Sequence, residues 1–191
     1  MDSVFKMPVP VKIKGRTSSI TNAFVNGIIP VIEPTEDQVD EVLNALGMNR
    51  DNICCSYCGD KYTEWDHFRP LILNKKPTGY VSEIYNLVPS CGKCNQSKGN
   101  KNWKSWMLGD AKLSPKTRGI KDINERVSRL EAFQNKYEDK VIKVNFERIV
   151  GTDMWNQHWD NYKRILELFD SSQELSDDIK RIIKERIESD I

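Results

Sequence analysis

No apolar run in this 191-residue chain approaches the roughly 20 residues that a membrane-spanning helix needs. The opening stretch, MDSVFKMPVPVK, does not read as a signal peptide, so the expectation is a cytoplasmic protein with no membrane partner. Histidine is scarce, at 2 residues, and so is cysteine, at 5. An odd cysteine count with four thiols in two C-x-x-C pairs argues against disulfides and, in a reducing compartment, for a metal. Internal repeats and low-complexity segments are absent. With 38% hydrophobic and 30% charged residues the composition is that of a soluble globular chain, which excludes wholesale disorder. Its length suits one sizeable domain, or a small module with attached helices.

Net charge is only +1, but it is unevenly spread: −1 over residues 1–50, +5 over 51–120 and −3 over 121–191. The positive segment is the one that holds the cysteines, a modest form of the electrostatic footprint of a nucleic-acid binder.

Near the N-terminus, VKIK (11–14) alternates at period 2 and predicts a half-exposed strand, and FVNGIIPVI (24–32) predicts a buried one. Lys6, Lys12, Lys14 and Arg16 make either a basic arm that touches phosphates or a solvated strand face. Thr35 to Gly47 predicts a helix, with capping-box spacing from Thr35 to Gln38 and acidic Glu36 and Asp37 at the positive end of its dipole. Val39, Val42, Leu43 and Leu46 share one face, Gly47 supplies the stop, and the helix reads as packing. Residues 103–120 predict the end of a helix and an irregular basic segment. Beyond Asp122, which with Glu125 can cap a helix, Ile123, Val127, Leu130 and Phe133 form a helical stripe. VIKVNFERIV (141–150) alternates as a short β run. Trp155, Trp159, Tyr162, Leu166 and Phe169 then recur at helical spacing and read as core. The last stripe, Leu175, Ile179, Ile182, Ile183 and Ile187, either closes the core or meets a second subunit.

The stretch from Cys55 to Lys101 carries the chemistry. Cys55/Cys58 and Cys91/Cys94 can each form a tight turn that points two thiolates at one ion, and two such turns supply the closed tetrahedral set of a structural Zn²⁺ site. Gly59 and Gly92 suit the backbone of such turns. Cys54 is a spare thiol and reads as a small buried residue. An ion with four protein ligands has no open position, so chemistry must come from elsewhere. In TEWDHFRPL, Asp66 is a hard oxygen ligand for Mg²⁺ and His67 a base that titrates near neutral pH. Neighbours on a strand face opposite sides, so both can act only at a strand end or bend.

The run D-H-x-x-P-L followed by N-L-x-x-x-C-x-x-C-N-x-S-K-G resembles the HNH endonucleases of the ββα-metal superfamily, over roughly residues 54–104. The resemblance implies a β-hairpin and a helix gripping one divalent ion against the scissile phosphate. It implies His67 as general base, Asp66 as ligand of a catalytic Mg²⁺ or Mn²⁺, Asn86 as the brace that orients His67, and Asn95 as second metal ligand at the helix start. Many members have histidine at this last position, and asparagine there favours a hard ion. Phosphodiester hydrolysis also needs cations that hold the backbone: Lys98 and Lys101 are the first candidates, and Arg69, Lys93 and Lys104 weaker ones, each with a solvated-charge alternative.

The expected fold is α+β: a ββα-metal core with structural zinc (51–108), an N-terminal support segment of strands and one helix (1–50), and a mainly helical C-terminal region for packing or dimerisation (109–191). The expected function is metal-dependent cleavage of double-stranded DNA, as a restriction-type homodimer in which two sites cut two strands. A phage, mobile-element or defence nuclease acting on DNA or RNA is one alternative. A non-catalytic zinc ribbon that binds nucleic acid is another, but it leaves the coincidence of Asp66, His67, Asn86 and Asn95 unexplained. The spacer Asn74–Glu83 is either a hairpin loop or a reach toward DNA.

Overall fold

The computed structural model describes residue 5 and residues 7–190, so Lys6 falls outside the described residues. In chain order the elements are a 3-10 turn (Ile13–Arg16), α1 (Thr17–Asn26), α2 (Glu36–Ala45), β1 (Glu64–His67), β2 (Ile72–Leu73) and β3 (Lys76–Pro77). A second 3-10 turn (Ile84–Asn86), β4 (Leu87–Ser90), α3 (Gly92–Lys98), α4 (Trp103–Leu108), α5 (Ile123–Lys136), α6 (Phe146–Val150) and α7 (Thr152–Ser189) follow. The class is α+β, with two small antiparallel sheets, β1–β4 and β2–β3. Among the described residues no helix is long and apolar enough to cross a membrane.

The chain divides into two compact units. One is Val25–Phe146; the other joins the described residues up to Phe24 to those from Glu147 onward. In the first, β1 and β4 pair in the register Glu64↔Ser90 to His67↔Leu87, and α3 follows at once, which makes a ββα unit. One apolar cluster holds it together. Val42, Leu43 and Leu46 of the α2 segment, Trp103, Trp106 and Met107 of α4, and Val127, Leu130 and Phe133 of α5 all pack in the cluster that contains the four paired cysteines. The 51–108 stretch therefore shares its core with helices on both sides. α2 forms where its sequence signals place it: the Thr35–Gln38 capping box is made in both directions, and Gly47 leaves the helix at φ 69°. The 74–83 spacer opens with a tight hairpin. Asn74 and Lys75 both have positive φ, as a two-residue type I′ turn between β2 and β3 demands.

Three expected strands do not form. VKIK becomes the entry to a 3-10 turn, and FVNGIIPVI splits into the end of α1, a turn and a single bridge from Val31 to Ser82. Within the second unit Phe24 packs its ring against His158 and Tyr162, at 5.1 and 5.3 Å between centroids, while the Thr21 hydroxyl lies 2.8 Å from that of Tyr162. A helix brings positions 21 and 24 onto one face and a strand does not, and short apolar runs do not reveal which partner awaits them. Likewise VIKVNFERIV contributes one bridge, Tyr80 to Lys143, and then turns into α6. Lys14 pairs with Asp170 at 2.8 Å within this second unit, so it is tied to α7 and is no free basic arm. The aromatic stripe of α7 buries Trp159 and Tyr162, but Leu175, Ile179, Ile182, Ile183 and Ile187 stay between 48% and 62% exposed and close no core.

Candidate active site and metal centre

Four sulfurs converge first. Cys55 and Cys58 lie in the turn before β1, Cys91 caps α3, and Cys94 sits inside it. All four are buried and free of disulfides, their ligand atoms lie within 4.8 Å of one another, and Cys58 Sγ stands 3.7 Å from Cys91 Sγ. A tetrahedral ion with metal–sulfur bonds of about 2.3 Å sets its sulfurs about 3.8 Å apart, so the donors fit structural zinc in both chemistry and spacing. Crowding also demands a cation. Hydrogen bonds from Cys58 and Cys94 hold the Cys55 thiol down at about 3, while hydrogen bonds from Cys55 and Cys58 push the Cys94 thiol up, so Cys55 and Cys94 do not ionise together without a positive centre beside them. Gly59 turns the first pair at φ 80°, a backbone conformation that residues with a side chain rarely adopt. Gly92 has no positive φ and is an ordinary first-turn helix residue, contrary to its expected role. Arg118 adds a charge that the motif does not announce: one of its nitrogens donates to Cys94 Sγ at 3.4 Å and the other pairs with Asp60 at 2.6 Å. Cys54 is half-buried against the same cluster.

Asp66 and His67 are the last two residues of β1, the strand end where both faces become usable. Asp66 is buried, and its Oδ2 accepts the Tyr57 hydroxyl at 2.7 Å. Tyr57 lies between the two cysteines of the first pair, so the knuckle reaches directly to Asp66. Its phenol, fully buried and beside a carboxylate, is pushed well above its ordinary range and stays a donor. Sequence reasoning passed over Tyr57; an aromatic inside a C-x-x-C was the available signal.

Lys98 completes the ring around Asp66. Its Nζ lies 3.0 Å from Oδ2 and 3.2 Å from Oδ1, and donates to the His67 carbonyl at 2.8 Å and the Gly99 carbonyl at 3.3 Å. The residue is 0% exposed. Burial raises the Asp66 carboxyl and lowers the Lys98 ammonium, and each charge is kept in place by the other. Lys98 is thus the counter-ion of Asp66 here, not an exposed phosphate clamp. The Asp66 carboxylate and the His67 and Gly99 carbonyls therefore converge on the Lys98 ammonium. Asn95, partly exposed on α3 and one turn before Lys98, shares its helix face.

Replacing Lys98 by alanine is expected to cost about 3–5 kcal/mol at pH 7, because a buried carboxylate loses its partner. In that variant Asp66 must bind a proton more tightly folded than unfolded. Its stability therefore falls as pH rises, and the gap from wild type narrows between about pH 7 and pH 5. Urea titrations of both proteins across that range check it; a gap independent of pH would mean that Asp66 carries no buried charge.

His67 is half-buried. Burial, with the Lys98 charge behind it, pushes the imidazole down to about 4, so the ring is neutral at physiological pH. Asn86, fully buried, fixes the chain just beyond it: its carbonyl accepts from Phe68 N at 2.8 Å, its Oδ1 from Arg69 N at 2.9 Å, and its Nδ2 donates to Arg69 O at 3.1 Å. Of the other cations expected to hold phosphates, Arg69 is buried and paired with Glu138 at 2.5 Å, and Lys104 pairs with Glu131. Lys101 donates to the Ser97 and Lys98 carbonyls at the end of α3, at 2.9 and 3.4 Å. Lys93 is exposed, with no ion-pair partner among the described residues. His158 bonds the Phe24 carbonyl at 3.0 Å and is structural.

Residues 55–101 match the model of the HNH endonuclease family. A stretch of the chain is 38% identical over 63 residues to the CRISPR-associated endonuclease Cas9 of Corynebacterium diphtheriae. That match covers 31% of this chain and 5% of the relative, so the chain spans only a small part of the protein it resembles. No solved structure gives a significant match.

Proposed function

We propose that the chain is an endonuclease that hydrolyses DNA phosphodiester bonds with His67 as general base. The observation that carries this is a neutral imidazole at the end of a strand braced by Asn86, beside a buried carboxylate, inside a segment that matches the HNH endonucleases. A neutral base near an anionic backbone can take a proton from water, which a protonated one cannot. The water oxygen then bonds to phosphorus, and the bond to the leaving sugar oxygen breaks. Asp66 and Asn95 would hold a Mg²⁺ or Mn²⁺ ion, which when bound supplies positive charge for the developing oxyanion. Lys98 keeps Asp66 ionised and in place by their 3.0 Å contact. The four-cysteine centre takes zinc in this reading, and holds β1 and α3 in register without chemistry of its own.

Double-stranded DNA is the substrate proposed, and Lys93 with Lys101 the exposed cations nearest the helix that carries Asn95. A restriction-type enzyme acting as a homodimer remains our reading of the assembly, and the exposed apolar stripe at the end of α7 supports a second copy. Likeness to a CRISPR-associated endonuclease equally supports a defence nuclease of another kind. The test is incubation with supercoiled plasmid and Mg²⁺ or Mn²⁺, with mapping of the ends. Cleavage in the presence of the ion and none after chelation is expected; binding without cleavage of any DNA or RNA would leave only a zinc-ribbon binder.

A further inference from the structure

His67 has one contact that neither the zinc centre nor the metal ligands explain. Its Nε2 lies 2.8 Å from the Ser82 hydroxyl oxygen, and Nδ1 has no hydrogen-bond partner among the described residues. A serine hydroxyl can donate or accept, so the pair admits both tautomers of the ring. Only one leaves His67 a base. If Ser82 donates, Nε2 is occupied and Nδ1 carries the proton, so no free lone pair remains. If Ser82 accepts from Nε2–H, the lone pair of Nδ1 is open.

Ser82 is itself held at the backbone. Its N–H donates to the Pro30 carbonyl at 3.2 Å, and its carbonyl accepts from Ile32 N at 2.9 Å, in a parallel bridge centred on Val31. The strap of residues 30–32, which has no other evident task in the core, therefore fixes the position of one hydroxyl against one imidazole nitrogen.

We propose that Ser82 is a positioning residue that locks His67 as the Nε2–H tautomer and so makes Nδ1 the atom that accepts the proton of the attacking water. The choice of tautomer and the role of Nδ1 rest on the nuclease reading; the contact between Ser82 and Nε2 does not. A hydroxyl held in place against Nε2 can accept from Nε2–H without touching the substrate, the office that a second group performs for histidine bases in general.

With only 2 histidines in the chain, ¹⁵N-histidine labelling and long-range ¹H–¹⁵N correlation spectra resolve the ring at pH 7, and a His158→Gln variant assigns it. Wild type is expected to show the pure Nε2–H pattern for His67. Ser82→Ala should show averaged nitrogen shifts from a mixture of tautomers and cleave about tenfold more slowly in kcat with KM unchanged, the worth of about one net hydrogen bond. Ser82→Thr, which keeps the hydroxyl, should restore both. A pure Nδ1–H ring in wild type overturns the proposal, as does an unmixed Nε2–H ring in Ser82→Ala. If the wild-type protein cuts nothing yet shows the pure tautomer and loses it in Ser82→Ala, the lock stands and the nuclease reading falls.

Discussion

Replacing His67 by alanine is expected to lower metal-dependent cleavage of duplex DNA by about 10³-fold, in kcat rather than KM, while zinc content, folding and DNA affinity stay in place. The magnitude is that of removing a positioned general base, about 10²–10⁴. Binding survives because His67 is half-buried and neutral and offers phosphates no charge. The pH profile of the wild type sharpens the test. With its imidazole held down at about 4 by burial, His67 remains a base across the neutral range, and activity should fall only as pH drops through about 4. A stability change accompanies it. Between the ordinary value of about 6.5 and about 4 the unfolded chain binds the proton and the folded chain does not, so stability falls with pH across that window and the loss is complete below it. His67→Ala should lack this part of the pH dependence. Full activity in the variant would remove His67 from the mechanism.

Loss of the zinc centre is expected to have the largest effect on stability. Structural zinc supplies apparent binding energies of about 10–16 kcal/mol to small domains whose whole stability is about 5–15 kcal/mol. Here the four cysteines lie inside the main apolar cluster, among Tyr57, Val88 and Trp106, so an ion held by them would be part of the core. Cys91→Ser is the direct test, since Cys91 both belongs to the four-cysteine cluster and caps α3. We expect about one zinc per chain in wild type, substoichiometric zinc in the variant, and loss of cooperative unfolding, read by metal analysis and thermal melts. The Tyr57–Asp66 hydrogen bond of 2.7 Å predicts that the Asp66 site is lost with it. Folded wild-type protein with well under one zinc per chain, or an unchanged melt for the variant, would refute the clamp.

How far each feature was legible depends on how local its cause is. The helix from Thr35 is written in neighbours, because a capping box spans three residues and an apolar face repeats every three to four. Paired C-x-x-C spacing is equally local at each half. The short apolar runs at 24–32 and 141–150 were not legible, since Phe24 takes helical form against aromatic side chains more than 130 positions along the chain. Charge was the least legible property. Lys98, Arg69 and Lys104 read as free cations, and each is tied to a carboxylate that folding brings to it from 27 to 69 positions away. Ser82 showed no motif that marks it, and Tyr57 only its place inside a C-x-x-C, as a hydroxyl gains meaning only from what stands within hydrogen-bond distance.

By itself, then, the sequence pointed to the class of chemistry: four thiols for a soft ion, and a carboxylate and an imidazole side by side at one point. Residue identity and spacing suffice there, because donor softness, pKa range and turn geometry belong to the residues themselves. Tertiary structure alone decided which oxygen and which nitrogen are in use. It placed a buried lysine against Asp66, a serine against one nitrogen of His67 and a tyrosine between zinc knuckle and carboxylate. Hydrogen bonds and ion pairs of about 3 Å are made or lost over a fraction of an ångström, and only the packed core, joining residues up to 100 positions apart, sets distances that finely.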